Sequence, residues 1–356
     1  MNKNKILFLT PYPYGTAASQ RFRCEQYYDL LIDKGFEVEM KSFMSNQTWE
    51  ILYSGGSRLK KISGIIAGFI RRILLLLSVK QFDFVFIHRE ASPIGPPIFE
   101  WFIAKIWKKN VIYDFDDAIW MNNTTIENRK VASIKWHSKV GSICNWAYRV
   151  SVGNGFLSEY ALSFNENVVI NPTTIDTDNL HIPNSSRNKT PIIGWTGTHS
   201  TLKYLKEIVE PLTILQTTHK FQFNVIADKR PEFEIPNMKF IPWSGESEID
   251  DLNSIDIGVM PLEDNEWAKG KCGFKALQFM ALEKAVLVSP VGVNKEIVEE
   301  GVSGFYCITV QEWVDKMKLL IEKPEIRQKM GQKGREKVIA EYSVRSNSDN
   351  FLRLFQ

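Results

Sequence analysis

The chain has 356 residues, 44% of them hydrophobic, and a formal net charge of +3. That length suffices for two domains with ordinary globular cores; the weak charge, with no arginine-rich stripe among aromatics, argues against a nucleic-acid binder. The four cysteines, Cys24, Cys144, Cys272 and Cys307, stand far apart with no CxxC pair, which argues against a zinc site or a disulfide framework and favours a reducing, cytoplasmic setting.

The N-terminal stretch holds one short apolar run, Ile6–Leu9, before Thr10 and Pro11. It reads as a buried first strand, Lys5–Thr10, rather than a signal peptide. A turn-rich loop, Pro11–Ser19, leads to a helix, Arg21–Lys34, ended by Gly35. Residues 58–80 hold six basic residues and no acid. Arg71 and Arg72 interrupt the apolar run, so neither half nears the roughly 18 residues of a spanning helix. The segment reads either as a helix lying in an anionic membrane interface or as a core-packed helix with a basic outer edge.

Further strand-like runs are Val38–Phe43, Phe82–His88, Val111–Phe115, Arg149–Val152 and Val168–Asn171, with helices at Pro97–Lys108 and Val131–Tyr148 between them. Strand and helix in alternation imply a parallel sheet covered on both faces. The polar, proline-containing stretch 172–190 breaks the pattern and reads as a linker. A second series follows: strands Ile192–Trp195, Phe221–Ala227, Met238–Pro242, Ile257–Leu262, Ala285–Ser289 and Phe305–Ile308, then helices Val310–Glu322, Pro324–Glu341 and Val344–Phe355. The division expected is 1–171, linker 172–190, and 191–342, with the last helix, 343–356, packing back on the first domain.

Four places carry candidate chemistry. The loop and helix start after Ile257–Leu262 hold Lys269, Lys271 and Lys275, with no acid between Glu266 and Glu283. Lysine in a first helical turn opposes the macrodipole unless an anion sits there, so these lysines and the N–H groups near Gly273-Phe274 read as a phosphate or diphosphate site. Asp264 and Trp267, just upstream, stand where a donor sugar could be touched. Beyond the next strand, the turn Val291–Asn294 leads into a helix carrying Glu296, an early acid that suits the dipole. A second cradle is Thr196-Gly197-Thr198-His199-Ser200-Thr201, between a strand and a helix; Ser200 and Thr201 there suffice as N-caps, leaving Gly197 and Thr198 as the functional candidates.

The other two places lie in the first half. Asp114, Asp116 and Asp117 crowd the end of the fourth strand, where like charges raise each other's pKa. Arg21 and Arg23 open the first helix, and His88-Arg89-Glu90 follows the third strand, at the ends where ligands bind in open α/β sheets. Arginine suits bidentate phosphate contacts. His137, His181 and His219 have no metal-ligand spacing.

The run Gly270 to Phe305, which begins Gly-Lys-Cys-Gly-Phe-Lys, resembles the donor-binding segment of the family-4 retaining glycosyltransferases, in the branch whose loop reads Gly-Lys-Cys-x-x-Lys. The resemblance extends over nearly the whole chain and is weak between Lys41 and Lys80. It implies the GT-B fold: two Rossmann-like α/β domains with parallel sheets facing across a cleft. It also implies transfer of a sugar, with retention, from a nucleotide-diphospho-sugar to a saccharide or lipid-linked acceptor, with no cofactor and no obligatory metal. On this likeness Lys271 and Lys275 hold the diphosphate, Asp116 and Asp117 stand on the acceptor side where relatives have a histidine–acidic pair, and Arg21, Arg23, Arg89 and Glu90 flank the acceptor. Glu296 matches a frequent family glutamate. Many relatives place two glutamates eight residues apart where this chain has Gly270 and Gln278; Gln278 can still bond a ribose hydroxyl, and Gly270 cannot through a side chain. The rival readings are a non-catalytic relative that binds a nucleotide-sugar or partner, and a metal-dependent GT-A enzyme using Asp114 and Asp116. A dinucleotide oxidoreductase is disfavoured because Pro11–Ser19 lacks GxGxxG.

Overall fold

Twelve strands form two six-stranded, all-parallel sheets among the described residues, which are 4–53, 58–121, 136–184 and 188–356 in this computed structural model. The start of the expected helix at Val131 and positions 185–187 of the expected linker lie outside the described residues. The first sheet holds β1 (Lys5–Thr10), β2 (Glu37–Ser42), β3 (Phe84–His88), β4 (Asn110–Phe115), β5 (Arg149–Val152) and β6 (Val168–Ile170), in the order β2-β1-β3-β4-β5-β6. The second holds β7 (Ile192–Gly197), β8 (Gln222–Ala227), β9 (Met238–Pro242), β10 (Ile257–Met260), β11 (Ala285–Val288) and β12 (Phe305–Tyr306), in the order β12-β11-β10-β7-β8-β9. Central strands such as β3 and β11 are buried along their whole length. Parallel strands covered by helices on both faces require such continuous apolar runs.

The orders locate the switch points. In each sheet the chain starts at a central strand, builds outward to one edge, then returns to build the other way. The reversal falls between β1 and β3 in the first sheet and between β7 and β10 in the second. Ligands of open α/β sheets bind outside the carboxyl ends of strands at such points.

Two compact units contain the sheets: Met1–Pro172 with Ser348–Gln356, and Thr173–Asn347. Part of the stretch read as linker belongs to the second unit, where Ile175 bridges Ser343 and Arg335 donates to the carbonyls of His181 and Thr177. The last nine residues complete the aromatic core of the first: Phe351 stacks on Tyr27 at 4.0 Å, and Phe355 meets Phe84 at 5.7 Å.

Helices depart from expectation where the backbone breaks or changes pitch. The run read as one helix, Arg21–Lys34, is α1 (Ala18–Arg23), a 3₁₀ turn (Glu25–Tyr27) and α2 (Tyr28–Asp33), broken at Cys24. Pro97–Lys108 is a short α5 (Ile98–Trp101) continued as a π-helix to Ile106. Between them lie α3 (Asn46–Tyr53) and α4 (Arg58–Leu76). After β4 come α6 (Lys139–Trp146) and α7 (Gly155–Leu162); the second unit adds α8 (Lys206–Leu215), α9 (Glu248–Asn253), α10 (Glu266–Lys269), α11 (Phe274–Ala281), α12 (Asn294–Ile297), α13 (Val310–Glu322) and α14 (Pro324–Lys337), and α15 (Ser348–Leu352) returns to the first.

Helix α11 is seated where its ends admit no side chain. Past its C-terminus, Glu283 takes φ +58, and a Cβ at Gly331 of α14 would overlap the Glu283 carbonyl oxygen. Gly331→Ala should therefore lower stability by about 1–3 kcal/mol, the usual scale of overpacking, read as an earlier urea midpoint. Gly155→Ala, with nothing within 4 Å of the added methyl, should leave the midpoint unchanged or slightly raised.

Candidate active site

In the second unit, β7 delivers a buried tryptophan and then a loop. Trp195 is 1% exposed. A Cβ on Gly197 would run into its indole and stand 2.7 Å from Thr201 Oγ1. Thr198 is the residue that caps the following 3₁₀ helix, and its N–H donates to Thr201 Oγ1 at 3.2 Å. Sequence reasoning gave the capping role to Ser200 or Thr201; Thr201 does take a helix-start N–H, in a capping box shared with Thr198. The next residue, His199, ties the loop to the end of β8, its N–H and Nδ1 each 2.6 Å from an Asp228 oxygen.

The lysine loop arrives at the same indole. Asn265 caps α10 through Ala268 N–H at 2.9 Å. Lys269 is paired with Glu266, 2.6 Å away on the same helix, so within the expected group of three lysines it is turned to an acid of its own helix. Lys271 Nζ stands 5.4 Å from the Trp267 ring, and Lys275 Nζ stands 5.4 Å from the Trp195 ring. Both distances suit cation–π contact. Trp195 thus joins the two cradles inferred separately from sequence: Gly197 lies against its ring and Lys275 stands over it.

Two glycines make the close fit possible. Gly273 caps α11 in the left-handed region, φ +67, and a side chain there would overlap Ile297. Gly292 has φ +52, and its Cβ would fall 2.9 Å from the Lys269 carbonyl oxygen. The lysine loop therefore lies directly on the turn leading to α12. The first turn of α11 contains no acid, so its dipole and Lys275 present the same sign.

Two donor-side candidates are turned inward. Gln278 is 1% exposed, with Nε2 3.3 Å from Glu248 Oε1 of α9 and 3.5 Å from His181 Nε2; it faces the interior because helical periodicity puts it on the side of α11 turned to α9. Asn294 is equally buried and donates to the Ser289 carbonyl at 3.0 Å. Glu296 is exposed, and its carbonyl accepts from Lys337. Asp264 is exposed and Trp267 partly so.

In the first unit, parallel register aligns His88 with Asp114 and Asp114 with Ser151 across β3, β4 and β5. This polar row is buried. Asp114 is fully covered, ion-paired with Arg23, 2.8 Å from His88 Nδ1 and bonded by Ser151 Oγ at 2.6 Å. Burial opposes its charge, yet Arg23 and His88 together hold its pKa below the ordinary carboxylate value. Arg23, expected to meet a ligand, is instead an internal strut that also donates to the Asn171 carbonyl. Asp114, saturated in this way, is a poor half of an Asp-x-Asp metal pair.

Asp116 and Asp117 lie at the rim and share Arg89. Its Nε and Nη2 reach Asp116 Oδ1 at 2.9 and 2.7 Å, and Nη2 reaches Asp117 Oδ2 at 2.9 Å. Arg89 has φ +59, an uncommon backbone for an arginine. Its N–H donates to the Asp114 carbonyl at 2.7 Å, and its own carbonyl accepts from Tyr113 at 2.8 Å. Such over-determined strain clusters at functional positions. Glu90 pairs with buried Lys139 at 2.7 Å, and the Arg21 guanidinium lies 5.0 Å over the Phe22 ring.

One link escaped the sequence. Ser19 Oγ stands 2.7 Å from His88 Nε2 and 3.3 Å from Asp116 Oδ1. A hydrogen-bond chain thus runs Asp114–His88–Ser19–Asp116. Its signal was a histidine ending one strand and a serine opening the helix after a neighbouring one, both at the β1/β3 switch.

The expected rise in the Asp116 pKa is corrected here. Burial pushes it up, but Arg89, with smaller help from His88 and Arg23, outweighs burial and holds it well below the carboxylate range. The depressed value means that Asp116 favours folding above its unfolded pKa, about 3.9, and that this contribution fades as pH falls below it. Arg89→Gln should move the Asp116 titration upward past that value, because burial then dominates; carboxyl ¹³C NMR against pH checks it.

Comparison with known proteins bears on both units. Residues 176–337 match the family described as glycosyl transferases group 1. No curated protein matches the chain. Among solved structures, a sucrose-phosphate synthase from Thermosynechococcus elongatus aligns with TM-score 0.72 and 12% identity, covering 99% of this chain and 98% of that one. A glycosyltransferase from Rickettsia africae gives 0.67 at 14% identity over 100% of both chains. HepE of Anabaena, in complex with UDP, gives 0.66 at 14% over 99% of both. At these identities the structural likeness fixes the architecture and nothing finer. The chain therefore has the GT-B fold, and its second unit matches the glycosyl transferases group 1 family over residues 176–337.

Proposed function

We propose that this chain is a retaining glycosyltransferase that moves a sugar from a nucleotide-diphospho-sugar to a saccharide or lipid-linked acceptor, in surface glycan or polysaccharide assembly. The observation that carries the reading is the convergence of Lys275, Gly197 and the α11 N-terminus on Trp195, at the β7/β10 switch point. The group 1 match over the same segment supports it. A structural neighbour, HepE, has been crystallised with UDP-glucose, which supports a nucleotide-sugar donor.

In this reading the bond from the anomeric carbon to the diphosphate breaks, an acceptor hydroxyl oxygen replaces it, and the hydroxyl proton passes to the departing diphosphate. The charge that develops on the leaving diphosphate needs preorganised partners. Lys271, Lys275 and the N-terminal dipole of α11 supply them, with Gly197 and Thr198 lining the approach from β7 and with no obligatory metal. Asp264 and Trp267 are assigned to the sugar, and Glu296 to the nucleotide-sugar, and the exposure of Asp264 and Glu296 supports that role. Asp116 and Asp117, braced by Arg89, orient the acceptor hydroxyl as hydrogen-bond acceptors. The depressed pKa makes Asp116 a positioning group rather than a proton exchanger.

One observation favours the non-catalytic alternative: Gly270 lacks a side chain and Gln278 is turned inward, so two family positions offer the ligand no carboxylate. Release or transfer of sugar from a panel of UDP-, GDP- and ADP-sugars separates the two readings. Lys271→Ala and Lys275→Ala should each lower transfer roughly 10²–10³-fold and weaken nucleotide binding with the fold intact; wild-type turnover in either would remove the diphosphate assignment. Asp116→Asn should cut transfer while sparing nucleotide affinity, measured by calorimetry beside turnover.

A further inference from the structure

Helix α4 is bolted to the first unit by one face and leaves the other bare. On the inner face, a Cβ on Gly64 would come within 2.6 Å of Thr48 and one on Gly68 within 2.5 Å of Phe43. Arg72 is 2% exposed and donates to the carbonyls of Ala91, Lys41 and Thr10 at 2.8–2.9 Å. Arg71 donates to the Phe43 carbonyl at 2.6 Å. These contacts fix the rotation of the helix about its axis.

That rotation turns Leu59, Ile62, Ile66, Ile70, Ile73 and Leu74 outward, each between 52% and 77% exposed. At 100° per residue they fall within an arc of roughly 120°, the width of a core-facing stripe, yet here it faces away from the core. The stripe ends at Leu77, 78% exposed. Scattered surface aliphatics need no explanation, but a continuous row on one helix marks a contact surface. Neither alternative drawn from sequence holds by itself: the helix is core-packed through its glycines and arginines, and its apolar side is the side left open.

Charge decides what covers it. Arg58 and Lys60 are exposed at the start of the helix, and residues 58–81 contain no acid. At the other end Lys80 lies 4.0 Å over the Trp107 ring, while Trp107 bonds the Leu76 carbonyl at 3.0 Å. The element thus joined to α4 exposes Trp101 at 41% and Ile106 at 45%. Its one acid, Glu100, is buried, whereas Lys105 and, just beyond it, Lys108 are exposed. An aliphatic row with basic ends and an exposed indole matches the physics of a helix lying in an anionic lipid interface. No described helix is long and apolar enough to cross a membrane. Because Arg72 is held by three carbonyls, α4 meets the surface as part of the folded unit.

We propose that the outer face of α4, continued by the residues around Trp101 and Ile106, docks the first unit on the surface of an anionic lipid bilayer. This inference stands apart from the transfer reading, since its measurement needs no donor.

The test is sedimentation of the full chain with phosphatidylglycerol-containing vesicles and with pure phosphatidylcholine vesicles. The wild-type chain should pellet with the anionic vesicles, more weakly with the neutral ones, and less in high salt, where exposed charges are screened within about 10 Å at 0.1 M. Ile66→Gln/Ile70→Gln should reduce binding by about tenfold or more, because apolar area drives insertion, with an unchanged unfolding midpoint. Arg58→Glu/Lys60→Glu should erase the preference for anionic vesicles. Wild-type protein left in the supernatant would overturn the proposal, as would undiminished binding of the isoleucine variant. So would a lipid-free dimer, seen by sedimentation velocity, that the isoleucine variant converts to monomer, since a second copy would then be the occupant.

Discussion

Close approach of backbone to backbone is the constraint on which the second unit depends. Helix α11 begins at Gly273, where any side chain would strike Ile297, and ends under Gly331, where any side chain would strike the Glu283 carbonyl. The α14 backbone thus closes on the C-terminal end of the helix, while at its first turn Lys275 stands over the Trp195 ring. Interiors packed to crystalline density transmit such constraints with little slack.

The first unit is organised by charge taken out of water. Arg23 and Asp114 are both fully covered, a pairing that gains little net stability because desolvation offsets attraction. What it confers is placement. Asp114 in turn orients His88, His88 meets Ser19, and Ser19 meets Asp116. A rim carboxylate is thus connected to a buried ion pair through three hydrogen bonds. Arg72 follows the same logic with carbonyl partners, and burial pulls its pKa down to about 9.

Much of the fold was legible because parallel strands announce themselves as short apolar runs between turns. Arg149–Val152 and Met238–Pro242 were read to the residue. The alternation with helices gave two α/β units, and the comparisons bear out the GT-B class. Local changes of pitch were not legible: Cys24 splits a run with continuous helical periodicity, and α5 widens into a π-helix without a proline or glycine to mark it. At the site, the lysines were visible because their charge lacked nearby acids, although Lys269 proved to have Glu266 one turn away. Orientation was hidden. Arg23, Gln278 and Asn294 are residue types common at ligand sites, and only tertiary packing shows that each is turned inward. The same blindness applied to Arg71 and Arg72, which in sequence only interrupted an apolar run and in the fold serve as struts.

The return of the chain to the first unit has a consequence for how the molecule is made. Residues 173–347 form an uninterrupted unit, whereas the first needs Phe351 and Phe355 against Tyr27, Phe84 and Phe86. During synthesis from the N-terminus, domains fold as their residues emerge. The unit that begins first here cannot close its core until the final helix has been translated. Phe8 and its neighbours must wait through the synthesis of a whole intervening domain before Phe351 and Phe355 can cover them.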